Sequence, residues 1–222
     1  MLSVPTLWIV FVVNFVAIGT VWVYVVRSYP NHDAARFWTA GALVAALGAA
    51  VAMTRGFIDP ESRLLLLIPL LIGGSILVLA VCLASMGIRR FYGVPVSWRF
   101  TFAIVAFNFF GLAYFVWQDN MVMRILIYSA SQAVPIMMTL PLLFSRKNGT
   151  AYPGARMSGY IAILMFGVYV VRSIAALLHV GGPVSLIDFN QFQAMLILGL
   201  VFLSMMWNFG FLLMTIDRLR AA

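Results

Sequence analysis

Seven uninterrupted apolar runs divide this chain, and each is about as long as a helix needs to be to cross a bilayer. Crossing a hydrocarbon core of about 30 Å takes roughly 20 apolar residues. The runs are Thr6–Val26, Ala35–Thr54, Leu64–Met86, Trp98–Trp117, Met121–Phe144, Met157–Val180 and Phe192–Met214. In lipid the backbone must satisfy its own hydrogen bonds, which each run can do only as a helix. With 64% hydrophobic and 9% charged residues among 222, the chain holds more apolar side chain than a water-facing surface can cover. The expected fold is therefore all-α: a membrane bundle of seven helices with short links and no room for a soluble domain between spans. The first run spans without a basic leader before it, so a cleavable signal peptide is not expected.

Turn chemistry marks the links: Tyr29-Pro30-Asn31, Asp59-Pro60-Glu61, Tyr92-Gly93-Val94-Pro95, Gly149 with Pro153-Gly154, and Gly181-Gly182-Pro183. Gln118-Asp119-Asn120 is so tight that spans four and five should be antiparallel neighbours. Pro69, Pro135 and Pro141 fall inside spans and are expected to kink them. Charge orients the bundle. Arg27, Arg36, Arg89, Arg90, Arg99, Arg146, Lys147, Arg156, Arg218 and Arg220 lie on one side, against Arg55, Arg63 and Arg124 on the other. Cytoplasmic loops carry the lysine and arginine excess. The expectation is an N-terminus outside, a C-terminus in the cytoplasm, and outer loops kept near neutral by Asp59, Glu61, Asp119 and Asp188.

The net charge of +8 does not point to nucleic acid. The charges sit at the ends of apolar runs and not in a basic stripe among exposed aromatics, so they suit anionic lipid. Other chemistries are disfavoured by residue type. His32 and His179 fall at opposite membrane faces, which argues against a paired haem site within the chain. The lone lysine, Lys147, sits in a link, whereas a retinal Schiff base needs a buried lysine. All six acidic residues lie in links or near termini, against a carboxylate proton pump. Cys82, alone in an apolar run, reads as a small buried hydrophobe. No cofactor is expected. Trp8, Trp38, Trp98, Trp117 and Trp207 lie near span ends and read first as interfacial anchors.

The polar residues inside the spans carry the functional reading. Arg172 sits about 12 Å into span six at 1.5 Å per residue, where an arginine costs about 2.5–3.5 kcal/mol on insertion scales. It should face the bundle interior, either anchoring an anionic or polar ligand or tied structurally to a carbonyl, amide or carboxylate. Asn108, Gln132 and Gln193 lie where they can line one outward-facing cavity with Arg172. The alternative for each amide is an interhelical hydrogen bond worth about 0.6 kcal/mol. Arg55 and Arg124 extend a basic rim above Arg172 or snorkel to the interface. Arg172→Ala is expected to abolish ligand response while the bundle stays folded. Loss of the fold would favour the structural role.

The last span does not stop at the membrane. From Met205 through Asp217, Arg218 and Arg220 no proline interrupts it and no glycine follows the basic cluster, so one helix should run on into the cytoplasm. Residues 1–216 then form the transmembrane unit, and 217–222 begin a signalling helix in which Asp217, Arg218 and Arg220 carry output. The chain resembles the seven-helix sensor region that precedes GGDEF-type diguanylate cyclase domains in bacteria. The resemblance rests on Arg55-Gly56, Gly87-Ile88-Arg89-Arg90-Phe91-Tyr92-Gly93-Val94-Pro95, Arg124-Ile125-Leu126, Arg172 and the closing stretch from Gly210 to Leu219. It implies a receptor in the bacterial inner membrane that binds a small or amphiphilic ligand and acts, as a homodimer, on a cytoplasmic cyclase making cyclic di-GMP. The GGDEF sequence is not among these residues, so no catalysis is expected in this chain and the effector is expected beyond it or in a partner. Two other readings remain: a small-molecule transporter or channel using the same polar interior, and a scaffold, which should have no cavity and should tie Arg172 to carbonyls or amides.

Overall fold

The structure, a computed structural model, describes residues 4–58, 63–146, 152–180 and 191–220. Within them the chain forms seven α-helices and no strand: α1 (Val4–Ser28), α2 (Asp33–Met53), α3 (Arg63–Phe91), α4 (Trp98–Trp117), α5 (Met121–Leu143), α6 (Pro153–Leu177) and α7 (Gln191–Arg220). All seven are long and apolar enough to cross a membrane. Asp59, Pro60, Glu61, Lys147, Gly149, Gly181, Gly182, Pro183 and Asp188 lie outside the described residues, as does the side chain of Arg63.

Several helices outrun the expected spans. The third continues past Met86 through Arg89 and Arg90 to Phe91, since arginines suit a helix C-terminus. Pro153 and Gly154, expected in a link, open α6. Proline is favoured in the first turn because its fixed φ suits the helix and its missing N–H would have no partner there. At the other end α6 stops at Leu177, and the chain turns through His179 at a positive φ of 52°. Asn120 caps α5 by accepting a hydrogen bond from the Met123 N–H at 3.0 Å, directly after the tight Gln118-Asp119 turn. Pro69, Pro135 and Pro141 each sit within one continuous helix.

Contacts join the later part of one helix to the early part of the next, as with Ala52 and Gly73, Gly111 and Ile127, and Arg172 and Gln193, while the end of α7 meets the start of α6 at Asp217 and Gly154, so consecutive helices alternate in direction. The starts of α1, α3, α5 and α7 share one end of the bundle, the N-terminal face; the end of α7 lies at the opposite, C-terminal face. Neighbour relations run α1–α2–α3–α5–α6–α7 and back to α1, a closed ring of six helices. The fourth helix stands outside the ring, packed in the groove between α3 and α5. Its exposed Phe102, Phe107, Phe110 and Tyr114 suit a helix turned mostly toward lipid.

Small residues set the closest approach in the ring. Along α2, Gly41, Ala45, Gly48 and Ala52 recur at helical spacing, and α3 answers with Gly73, Ala80 and Ala84. A Cβ at Gly73 would lie 2.9 Å from the backbone nitrogen of Ala52. Backbones this close gain dispersion contacts, the force left to drive helix pairing where lipid is as apolar as leucine. Toward the C-terminal face the interior fills with aromatics: Trp38 stacks on Phe211 at 4.8 Å between centroids and lies 5.1 Å from Trp22. Trp38 and Trp207 are buried, at 1% and 2% exposed, and are not interfacial anchors. Their place near span ends encoded depth; the rotation of α2 and α7 turned them inward. Trp98 and Trp117 are exposed near the ends of α4, as an anchor requires.

Candidate functional site

The ring encloses an elongated cavity of about 180 Å³. Along α2 and the 3-10 turn Thr54–Phe57 that follows it, the lining runs from Trp38 to Arg55, about 25 Å at 1.5 Å per residue. Phe11, Phe15, Leu70, Leu77 and Leu200 make its middle apolar, and among the described residues only Leu112 reaches it from α4. Partly exposed Trp8, Arg55 and Met121 mark its upper end at the N-terminal face. Trp38, Trp207 and Asn208 line its lower end.

Arginines gather at the upper end. Arg124, one turn into α5, is 3% exposed, and its three guanidinium nitrogens are buried with no hydrogen-bond partner among the described residues. It lines the cavity and lies within electrostatic reach of Arg55 and Asp119. A buried guanidinium with no acceptor is an expensive arrangement in a low-dielectric interior. Arg55 stands over the Trp8 ring at 5.9 Å. Arg172 is deeper and better satisfied. Its Nε donates to Gln193 Oε1 at 3.2 Å, Gln193 Nε2 donates back to the Arg172 carbonyl at 3.4 Å, and its guanidinium lies 5.8 Å from the centre of the Tyr128 ring.

The expected polar lining is therefore split. Arg55, Arg124, Gln132 and Arg172 line the cavity; Asn108 and Gln193 do not. Asn108 is fully buried, donating to Ser75 Oγ at 3.3 Å between α4 and α3, because α4 stands outside the ring. Gln193 is the clasp that ties α7 to α6. Arg172 thus has the amide partner expected of a scaffold, yet beside it lies the cavity a scaffold should lack. Arg124 does not snorkel; it is drawn inside.

Tyr128, Tyr169, Ser204 and Asn208 also line the cavity, and the sequence reading selected none of them. Tyr128 lies four residues after Arg124 and four before Gln132, so the three share one face of α5. Tyr169 lies three before Arg172 on α6 and donates from its hydroxyl to Gln132 Oε1 at 2.7 Å. That stripe of polar groups at i, i+4 and i+8 was the available signal.

The C-terminal face carries a second polar cluster. Asp217 Oδ2 accepts from the Gly154 N–H at 2.8 Å, so the last turn of α7 caps the first turn of α6. Here too the backbones touch: a Cβ at Gly154 would lie 2.5 Å from the Met214 nitrogen. Buried His32, in the α1–α2 link, places Nε2 3.4 Å from Thr215 Oγ1 and Nδ1 3.5 Å from an Arg218 guanidinium nitrogen. Arg218 also lies 5.7 Å from the centre of the Phe91 ring. Asp217 and Arg218 are docked on the bundle and do not project from it.

Comparison of the chain with models of known families, with curated proteins and with solved structures gives no match.

Proposed function

We propose that this chain is a membrane receptor. An anionic or amphiphilic ligand enters the ring from the outer side, settles against Arg124 and Arg55, and biases the position of α7. Arg124 carries the reading: a buried guanidinium, unpartnered among the described residues, lining the cavity inside the ring. A scaffold has no use for it, whereas a bound anion would supply the missing acceptor.

The output is α7. It forms part of the cavity wall through Leu200, Val201, Ser204 and Asn208, and it continues as one helix to Arg220. At 1.5 Å per residue its 30 residues measure about 45 Å, longer than the roughly 30 Å hydrocarbon core. The lysine and arginine excess favours a cytoplasmic C-terminal face, and the resemblance to cyclase-linked sensors favours a bacterial inner membrane. The same resemblance supports a dimeric diguanylate cyclase as the effector. A ligand shifts such an equilibrium only by binding two arrangements of α7 with different affinity. The test is cyclic di-GMP output from this chain joined after Arg220 to a diguanylate cyclase domain. Arg124→Gln should lock the output at one level across growth conditions, while a variant on the lipid face of α4, Phe107→Leu, should still respond. Equal responses in the two would overturn the reading.

A transporter would use the same cavity, but the cavity's lower end is filled by Trp38, Trp207 and fully buried Phe211. That plug favours a receptor. Anion flux through proteoliposomes of this chain would reverse the preference.

A further inference from the structure

We infer that the cavity takes one single-chain anionic amphiphile, its oxyanion head on Arg124 and Arg55 and its tail lying down the slot toward Trp38 and Trp207. This deepens the receptor reading and rests on it only in placing a ligand in this cavity.

Shape gives the first argument. The lining extends for about 25 Å along α2 and the turn that follows it, whereas one acyl chain covers half of a core of about 30 Å. About 180 Å³ spread along that length makes a narrow slot with room for a single file of methylene groups. That is one chain; a two-chain phospholipid needs twice the room. Polarity gives the second. Apolar lining from Phe11, Phe15, Leu70 and Leu77 suits hydrocarbon and stays dry without it, so a small hydrophilic anion would leave most of the slot unused. A neutral amphiphile would fill the slot but leave Arg124 unpaired, which a buried charge strongly disfavours. Only a molecule with both ends satisfies both regions. Polarity also fixes direction, because the arginines cluster at one end and the aromatic floor lies at the other. That floor meets the output helix, as Trp38 stacks on Phe211 of α7. Carboxylate, sulfate and phosphate-monoester heads share the required chemistry.

The test is tryptophan quenching in the purified chain, in a Trp98→Phe/Trp117→Phe background that removes the lipid-exposed fluorophores. Hexadecanoate brominated at carbon 2 should quench Trp8, which sits against Arg55. Hexadecanoate brominated at carbon 16 should quench Trp38 and Trp207, with Trp38→Phe and Trp207→Phe assigning the signal. Competition with unlabelled hexadecanoate and hexadecyl phosphate should exceed hexadecanol by at least about tenfold, the value of one charge-assisted contact. Arg124→Gln should erase that margin while hexadecanol binding persists. Ala45→Leu narrows the slot without touching the head site and should shift preference to octanoate; thermal melting checks both variants for folding. Hexadecanol binding as well as hexadecanoate, displacement by phosphatidylglycerol, or the reverse quenching pattern would overturn the inference and leave the receptor reading standing. If no probe quenches Trp8, Trp38 or Trp207 and Ala45→Leu leaves cyclase output unchanged, both readings fall together.

Discussion

Asp217, on the last turn of α7, accepts a hydrogen bond from the backbone N–H of Gly154 at 2.8 Å and so fastens the output end of the bundle to the start of α6. The contact spans 63 residues of sequence. It is made by the residue class that helix N-termini favour, a carboxylate near unpaired N–H groups and the positive end of the helix dipole.

Asp217→Ala should loosen that end, at a cost of about 1–2 kcal/mol. In the cyclase fusion it should raise or lower basal output and shrink the ligand response, since α7 would no longer be held in one register. Asp217→Asn keeps an acceptor and should retain most of the stability. Cyclic di-GMP measurement with and without ligand checks the first claim, and thermal melting checks the second.

The Arg172–Gln193 clasp should behave as a unit. Each of Arg172→Ala and Gln193→Ala should destabilise the bundle, by about 1.5–3 kcal/mol for a hydrogen bond to a charged group. The double variant should cost less than the sum, with a coupling of about 1 kcal/mol or more in a double-mutant cycle. The result expected from the sequence, loss of ligand response with the fold intact, belongs instead to Arg124→Gln.

Gly73→Ala should destabilise by about 1–3 kcal/mol, because the added methyl would press on backbone atoms of Ala52 and Gly48 that cannot turn aside. Gly167→Ala and Gly199→Ala provide the control. Among the described residues nothing lies within 4 Å of either added Cβ, so the gain in helix propensity should leave stability unchanged or slightly higher. Chemical unfolding in mild detergent would rank the three.

Orientation can be read by labelling. In a Cys82→Ala background, cysteine at exposed Gln118 should react with an impermeant maleimide from outside intact cells. Cysteine at exposed Asn31 should react only after permeabilisation. The reverse pattern would place α7's end on the wrong side for a cytoplasmic effector.

Depth was legible in the residues before any coordinates. Hydropathy runs marked seven helices, the unbroken closing stretch marked α7 as one long rod, and the penalty for arginine in hydrocarbon marked Arg172 as a residue needing an enclosed interior. Azimuth was not. Lipid and protein core are both apolar, so a helix such as α4 or α6 shows little amphipathic contrast to say which face turns inward. Packing alone placed α4 outside the ring and took Asn108 with it. Packing alone turned Trp38 and Trp207 from apparent anchors into the floor of a cavity, and set Gln193 against Arg172 while leaving Arg124 unpartnered among the described residues.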